Sequence, residues 1–270
     1  MTFAAVNGIS FHYTDDGPRD APAIVLGHGL LFSGWMFHPQ VAALKDRYRC
    51  ITVDWRGQGR TPASADGKAD MDSLLDDLVA LLDHLGLDSV HYAGLSMGGF
   101  VGMRLAARHP ERVRSLVLLD TSAGPEDPEK VSQYRLLARV YRVLGIGPVR
   151  GKVEPLMFSP AVVASGRSKE IADEWMGQLR KVPRAGMTKA IRGVTDRLPI
   201  ADEIGSITAP TLVIVGADDM ATPVAKAEAI VAGIPGARLE VVADAGHSST
   251  IEQPEAVTRL IEDFLASVAG

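Results

Sequence analysis

The chain has 270 residues, 46% of them apolar and 23% charged, and its 28 Lys and Arg against 33 Asp and Glu give a formal net charge of −5. Such a balance excludes a disordered or fibrous chain, the length suits one α/β domain with a modest insertion, and the acidic excess offers no footprint for nucleic acid. A lone cysteine, Cys50, excludes an internal disulfide; with neither a leader-like N-terminus nor a run of about 18 apolar residues, a cytoplasmic protein with no membrane partner is expected.

In chain order, residues 3–6 and 9–13 flank Asn7-Gly8, a two-residue hairpin signal, and predict an antiparallel edge. Short apolar runs at 24–26, 50–54, 90–93 and 113–119 read as strands covered on both faces, as do 212–215 and 239–242 later in the chain. Amphipathic stretches at 71–85, 97–108, 224–232 and 254–268 lie between them; in the first, Leu74, Leu75, Leu78, Leu81, Leu82 and Leu85 form one apolar stripe. The alternation predicts an α/β fold, a mostly parallel sheet with helices on both faces. It breaks once: from residue 125 to 205 there is no convincing strand, and 131–144, 171–182 and 187–195 read as helices. The expected organisation is a core of residues 1–124 and 206–270 carrying a helical cap of residues 125–205.

The strongest chemical signal is Gly94-Leu95-Ser96-Met97-Gly98, a Gly-x-Ser-x-Gly motif between a predicted strand and a predicted helix. Two glycines let strand and helix approach, which leaves the Ser96 hydroxyl exposed at the strand end in a strained conformation, with helix N-terminal amides aimed at developing negative charge. Serine is a weak nucleophile unless a base takes its proton, so a late histidine and an acid to orient it are required. His247, in the glycine-bearing loop after the last predicted strand, is the base candidate; His28 also sits in a glycine loop after a strand, while His12, His38, His84, His91 and His109 fall in helical or strand patterns. For the acid, Asp219 just past the strand at 212–215 is preferred, Asp218 remains open, and Asp120 and Asp244 are lesser rivals. The backbone N–H of Met97, next to the serine, is one expected donor to the oxyanion.

The order Ser96, Asp219, His247 resembles that of the α/β-hydrolase superfamily, and the likeness spans nearly the whole chain. It implies the acid of a Gly-x-x-Asp turn at Gly216 and Asp219, a Gly-His at Gly246 and His247, and a second oxyanion donor on Leu30 in Leu26-Gly27-His28-Gly29-Leu30, with His28 as scaffold. Arg56-Gly57-Gln58-Gly59 resembles a structural loop of the family, with no catalytic role implied. The motif around Ser96 and the stretch from 209 to 255 are similar to aryl esterases and 3-oxoadipate enol-lactonases. The implied activity is hydrolysis of esters or lactones of small, moderately apolar molecules through an acyl-enzyme. C–C bond hydrolases and hormone-type ligand receptors share the fold and are the alternatives, while Ser96 argues against the aspartate-nucleophile dehalogenases and epoxide hydrolases. No zinc, calcium, dinucleotide or Walker pattern is present, so no cofactor or metal is expected and a small-molecule substrate is the expected partner. Met157, Phe158, Trp175, Met176 and Met187 are candidate pocket residues, each weighed against simple packing within the cap.

Overall fold

The computed structural model describes residues 2–165 and 167–268. Asn7 and Gly8, at φ 46° and 76°, close the hairpin between β1 (Thr2–Val6) and β2 (Ile9–Asp16). β3 (Ala23–Gly27), α1 (His38–Leu44), β4 (Arg49–Val53), α2 (Met71–His84), β5 (Val90–Leu95), α3 (Met97–Arg108) and β6 (Val113–Leu119) follow. After the insertion come β7 (Thr211–Gly216), α9 (Val224–Gly233), β8 (Arg238–Val242), α10 (Ser249–Glu252) and α11 (Pro254–Ser267). The eight strands form one sheet in the order β1-β2-β4-β3-β5-β6-β7-β8; β2 is antiparallel to both its neighbours and every other pairing is parallel.

Two-residue periodicity divides the sheet's side chains between two cores. Val25, Tyr92, Leu116 and Val213 face one layer with the stripe of α2, with α3 and with Ala227 and Ile230 of α9. Ile24, Ala93, Val117 and Ile214 face the other, under Val41 and Leu44 of α1 and Val257, Ile261 and Phe264 of α11. Cys50 lies in this second layer, where burial pushes its thiol up to about 12 and leaves it a core residue. Strand order reverses at β3, whose neighbours are β4 on one side and β5 on the other, so the carboxyl ends of β3 and β5 lie side by side with Gly27 opposite Gly94. Loops leaving a parallel sheet at such a switch point converge on one crevice.

Among the described residues five α-helices stand between β6 and β7 where the sequence suggests three: α4 (Pro128–Leu144), α5 (Arg150–Met157), α6 (Pro160–Ala164), α7 (Arg167–Leu179) and α8 (Arg184–Thr195). α4 starts earlier than its apolar pattern because Asp127 accepts the Glu129 N–H and Pro128 occupies the first turn. α5 carries Pro155 and buries none of its residues fully, so it lacks the stripe by which helices are read. Ile200 N–H donates to Ala123 carbonyl at 2.9 Å, which closes the two ends of the insertion, and Ile200 and Ile204 are already packed in the core beside α3. No helix among the described residues is long and apolar enough to cross a membrane.

Candidate active site

β5 ends at Leu95 and α3 begins at Met97, so Ser96 alone makes the turn, at φ 52° and ψ −110°. That positive φ is costly for a residue with a Cβ and is held by two bonds: Ser96 N–H donates to Leu119 carbonyl at 2.8 Å, and Thr121 Oγ1 donates to Ser96 carbonyl at 2.8 Å. A Cβ on Gly94 would overlap the Gly98 carbonyl, and one on Gly98 would overlap the Gly27 carbonyl, so the motif's glycines are spaces for backbone. Ser96 is only 7% exposed; its hydroxyl faces a cavity under the inserted helices, not open solvent as the bare motif suggests.

His247 Nε2 stands 2.9 Å from Ser96 Oγ, and His247 Nδ1 stands 2.9 Å from Asp219 Oδ2. Asp219 is fixed in turn: Oδ1 accepts the N–H of Ala221 and of Thr222, both at 2.8 Å, and Oδ2 accepts Thr222 Oγ1 at 2.7 Å. Burial would raise the Asp219 pKa, but the charge and hydrogen bond of His247 and the bonds from Thr222 hold it below the ordinary carboxylate range. Burial would lower the pKa of His247, and Asp219, with smaller contributions from Asp120 and Glu252, holds it above the ordinary histidine value. The Nδ1–H tautomer follows, with Nε2 free to accept from Ser96.

Next to this row are two amides, those of Leu30 and Met97, and neither donates to a protein acceptor among the described residues. Met97 opens α3, where first-turn N–H groups have no intrahelical partner. Around Leu30 the backbone is braced by side chains: Leu31, at φ 69°, donates its N–H to Gln58 Oε1 at 3.1 Å, Gln58 Nε2 reaches Met97 Sδ at 3.6 Å, and Trp175 Nε1 donates to Leu31 carbonyl at 3.1 Å. His28 accepts the Trp55 N–H on Nε2 at 3.0 Å and gives Nδ1–H to Gly29 carbonyl at 2.7 Å. Burial lowers its pKa to about 4 despite Asp54, so it is a neutral brace with both nitrogens spent.

The cavity over Ser96 and His247 encloses about 130 Å³ and is largely apolar. Leu30, Leu31 and Phe100 form its floor; α4 contributes Tyr134, Leu137 and Tyr141, α5 contributes Val153 and Met157, and α8 contributes Ile191 and Val194. Its polar fringe is Glu126, Tyr134 and Arg197, with Arg197 Nη1 bonded to Glu126 Oε2 at 2.9 Å and the guanidinium 4.3 Å over the Phe100 ring.

The alpha/beta hydrolase fold family matches residues 22–143, and a family described as TAP-like protein matches residues 191–269. The chain is 32% identical to a Variovorax paradoxus protein provisionally named carbamate hydrolase RutD, over 96% of this chain and 97% of that one. It is 29% identical to 3-oxoadipate enol-lactonase 2 of Acinetobacter baylyi, over 94% and 92%. Among solved structures, an enol-lactonase from Burkholderia xenovorans superposes with a TM-score of 0.90 at 32% identity, covering 98% of this chain and all of that one. A thermophilic esterase from Thermogutta terrifontis, with malate bound, does so with a TM-score of 0.90 at 32% identity, covering 100% and 98%. The chain belongs to the α/β-hydrolase superfamily.

Within this α/β-hydrolase the structure brings Ser96, His247 and Asp219 into one hydrogen-bonded row and sets the Leu30 and Met97 segments beside it. It separates the rivals for the acid: Asp218 and Asp244 are exposed and Asp120 bonds elsewhere. Of the five candidate pocket residues only Met157 lines the cavity; Phe158, Trp175, Met176 and Met187 are buried in packing. Thr121, Thr222 and Glu252 brace the site and carry no local signature, and Gln58 braces it from the Arg56-Gly57-Gln58-Gly59 loop. Glu252 is buried, with Oε1 accepting the N–H of Gly246 at 3.0 Å and of Ser248 at 3.1 Å and Oε2 that of Ser159 at 2.7 Å, so it joins the loop of His247 to the insertion. Among the described residues no group of three or more His, Cys, Asp or Glu is placed to hold a metal ion.

Proposed function

We propose that the chain hydrolyses carboxylic esters or lactones of small, moderately apolar molecules through an acyl-enzyme on Ser96. The observation that carries this reading is the 2.9 Å approach of His247 Nε2 to Ser96 Oγ, backed by the anionic Asp219 on Nδ1. As Oγ attacks the ester carbonyl, Nε2 takes its proton and Asp219 stabilises the imidazolium. The oxyanion of the tetrahedral intermediate meets the N–H groups of Leu30 and Met97, donors whose individual loss costs about 3 kcal/mol in comparable enzymes. His247 then gives its proton to the leaving alkoxide. It next activates a water that releases the acid and restores Ser96.

The apolar cavity supports acyl groups without charge along most of their length, and the helices that build it act as a cap deciding which acyl groups enter. The enol-lactonase and esterase names of the relatives support the same bond type. A cytoplasmic enzyme whose partner is its small-molecule substrate, with no cofactor, completes the reading. Carbamates are the second reading, favoured by the name of the Variovorax relative, since the same serine would attack a carbamate carbonyl.

The test pairs one variant with one substrate panel. Ser96→Ala should keep the wild-type circular dichroism and lose turnover by a factor on the order of 10⁶. On wild-type protein, kcat/KM for short-chain aryl esters or small lactones should exceed that for matched amides by at least roughly 100-fold, about 2.7 kcal/mol of barrier. Turnover persisting in Ser96→Ala would remove the nucleophile; a carbamate or a vinylogous 1,5-diketone outrunning every ester and lactone would replace the substrate class and keep the serine.

A further inference from the structure

We propose that Asp120 is a positioning residue for this chemistry, one that ties the turn carrying Asp219 and the loop carrying His247 to the end of β6. The proposal rests on the serine-hydrolase reading above. Asp120 follows β6 directly, is fully buried and stands at φ 45°, in the left-handed region. Its N–H donates to Ile214 carbonyl at 2.9 Å, which extends the pairing of β6 with β7 by one residue. Its carboxyl group then reaches in two directions. Oδ1 accepts the Gly216 N–H at 2.8 Å, at the start of the turn that presents Asp219 three residues on. Oδ2 meets Ser249, two residues past His247, through Oγ at 2.5 Å and N–H at 3.3 Å. Both segments of the His247–Asp219 pair are thus anchored on one side chain that touches neither partner through a hydrogen bond.

The chemistry of that side chain follows from its neighbours. Asp219 is already anionic in the same buried region, and a second charge there is opposed by desolvation and by repulsion. Burial and Asp219 raise the Asp120 pKa to about 8, against the smaller opposing pulls of His247, Ser249 and Gly216. Glu252, the other buried acid near His247, accepts the N–H groups of Gly246 and Ser248. Burial and the nearby Asp219 charge thus favour the neutral form of Asp120 at neutral pH, while its Oδ2 accepts the Ser249 hydroxyl. Its ionisation sets two carboxylates against each other, pushes the Asp219 turn away from Nδ1 and lowers kcat. A serine–histidine pair alone gives no such alkaline limb, since His247 is neutral and competent there.

The experiment uses the full-length protein on an aryl ester between about pH 6 and 10, comparing wild type, Asp120→Asn, Asp120→Ala and Ser96→Ala. Asparagine copies the neutral acid: its oxygen accepts from Gly216 and its amide donates to Ser249 Oγ, but it has no proton to lose. The expected wild-type kcat declines around a midpoint near pH 8. Asp120→Asn should run about 3-fold below wild type at pH 7 and move that midpoint up by more than about one pH unit. Asp120→Ala should lose at least about 10-fold in kcat with KM within about 2-fold, the split expected of misplaced catalytic groups and not of lost binding. A flat wild-type profile, an unmoved midpoint in Asp120→Asn, or a wild-type kcat in Asp120→Ala overturns the proposal; if the alanine variant does not fold, the asparagine profile decides. Should Ser96→Ala be inactive while Asp120→Asn titrates like wild type, only the role of Asp120 fails. Turnover by Ser96→Ala would sink the serine reading instead.

Discussion

At Asp219 the carboxylate accepts two backbone N–H groups and two side-chain donors, whereas the neighbouring Asp218 side chain is exposed. Replacing Asp219 by Asn sets an amide N–H against Nδ1 and favours the opposite imidazole tautomer, whose Nε2–H cannot take the Ser96 proton. The expected loss in kcat is on the order of 10³ to 10⁴, while Asp218→Asn should stay within about 2-fold. Steady-state kinetics on both variants, with melting temperatures as a fold control, checks this; equal losses would mean that the turn matters and not the carboxylate. At this scale the sequence reveals the groups whose chemistry needs a local backbone pattern. Ser96 is legible because its turn demands glycines two residues away on each side, and His247 because it follows a glycine after the last strand. Glu252 is illegible because nothing local marks a side chain whose partner lies in another segment, here Ser159.

Among the elements, the strands and the helices packed on them are legible because burial on both faces, or on one stripe, leaves a period in the sequence. α5 has no buried stripe and α6 spans only five residues, so between β6 and β7 the sequence shows three helices where the structure has five α-helices among the described residues. What ties these short elements to the core is polar. Ser159 caps α6, accepting the Val162 N–H at 3.2 Å, and gives its own N–H to Glu252 at the end of α10, the same carboxylate that holds the His247 loop. Glu252→Gln puts an amide N–H against at least one of three backbone donors and leaves a buried group unpaired. Such a defect costs about 1–3 kcal/mol. Urea unfolding should show that loss together with a lowered kcat, because α6 and the His247 loop share the anchor. An unchanged unfolding midpoint with unchanged kcat would show that the two segments are held independently.

Over the whole molecule, the buried titratable groups set how stability depends on pH, and they pull in opposite directions. His28, lowered from 6.5 to about 4, binds no proton in the fold where the unfolded chain does. Its contribution is therefore complete above pH 6.5 and is lost as pH falls towards 4, a shift worth about 3 kcal/mol. Asp120 has the other sign. Its pKa, raised from 3.8 to about 8, means the fold keeps a proton that the unfolded chain has released, so its contribution is lost as pH rises across that interval. The raised pKa of His247 acts in the same sense above the ordinary histidine range. Below about pH 6.5 the slopes of His28 and Asp120 oppose each other, and above it His28 no longer contributes. Unfolding free energy should then decline from about pH 6.5 to about pH 8, by up to about 1.4 kcal/mol per pH unit for each proton held. Asp120→Asn should remove one proton's share of that decline and unfold at higher urea than wild type at about pH 8, even though its kcat at pH 7 is lower. Wild-type stability that climbs from pH 6.5 to 8, or an Asn variant that declines as steeply, would mean that Asp120 is ionised throughout the neutral range and that its bonds to Gly216 and Ser249 are those of a carboxylate.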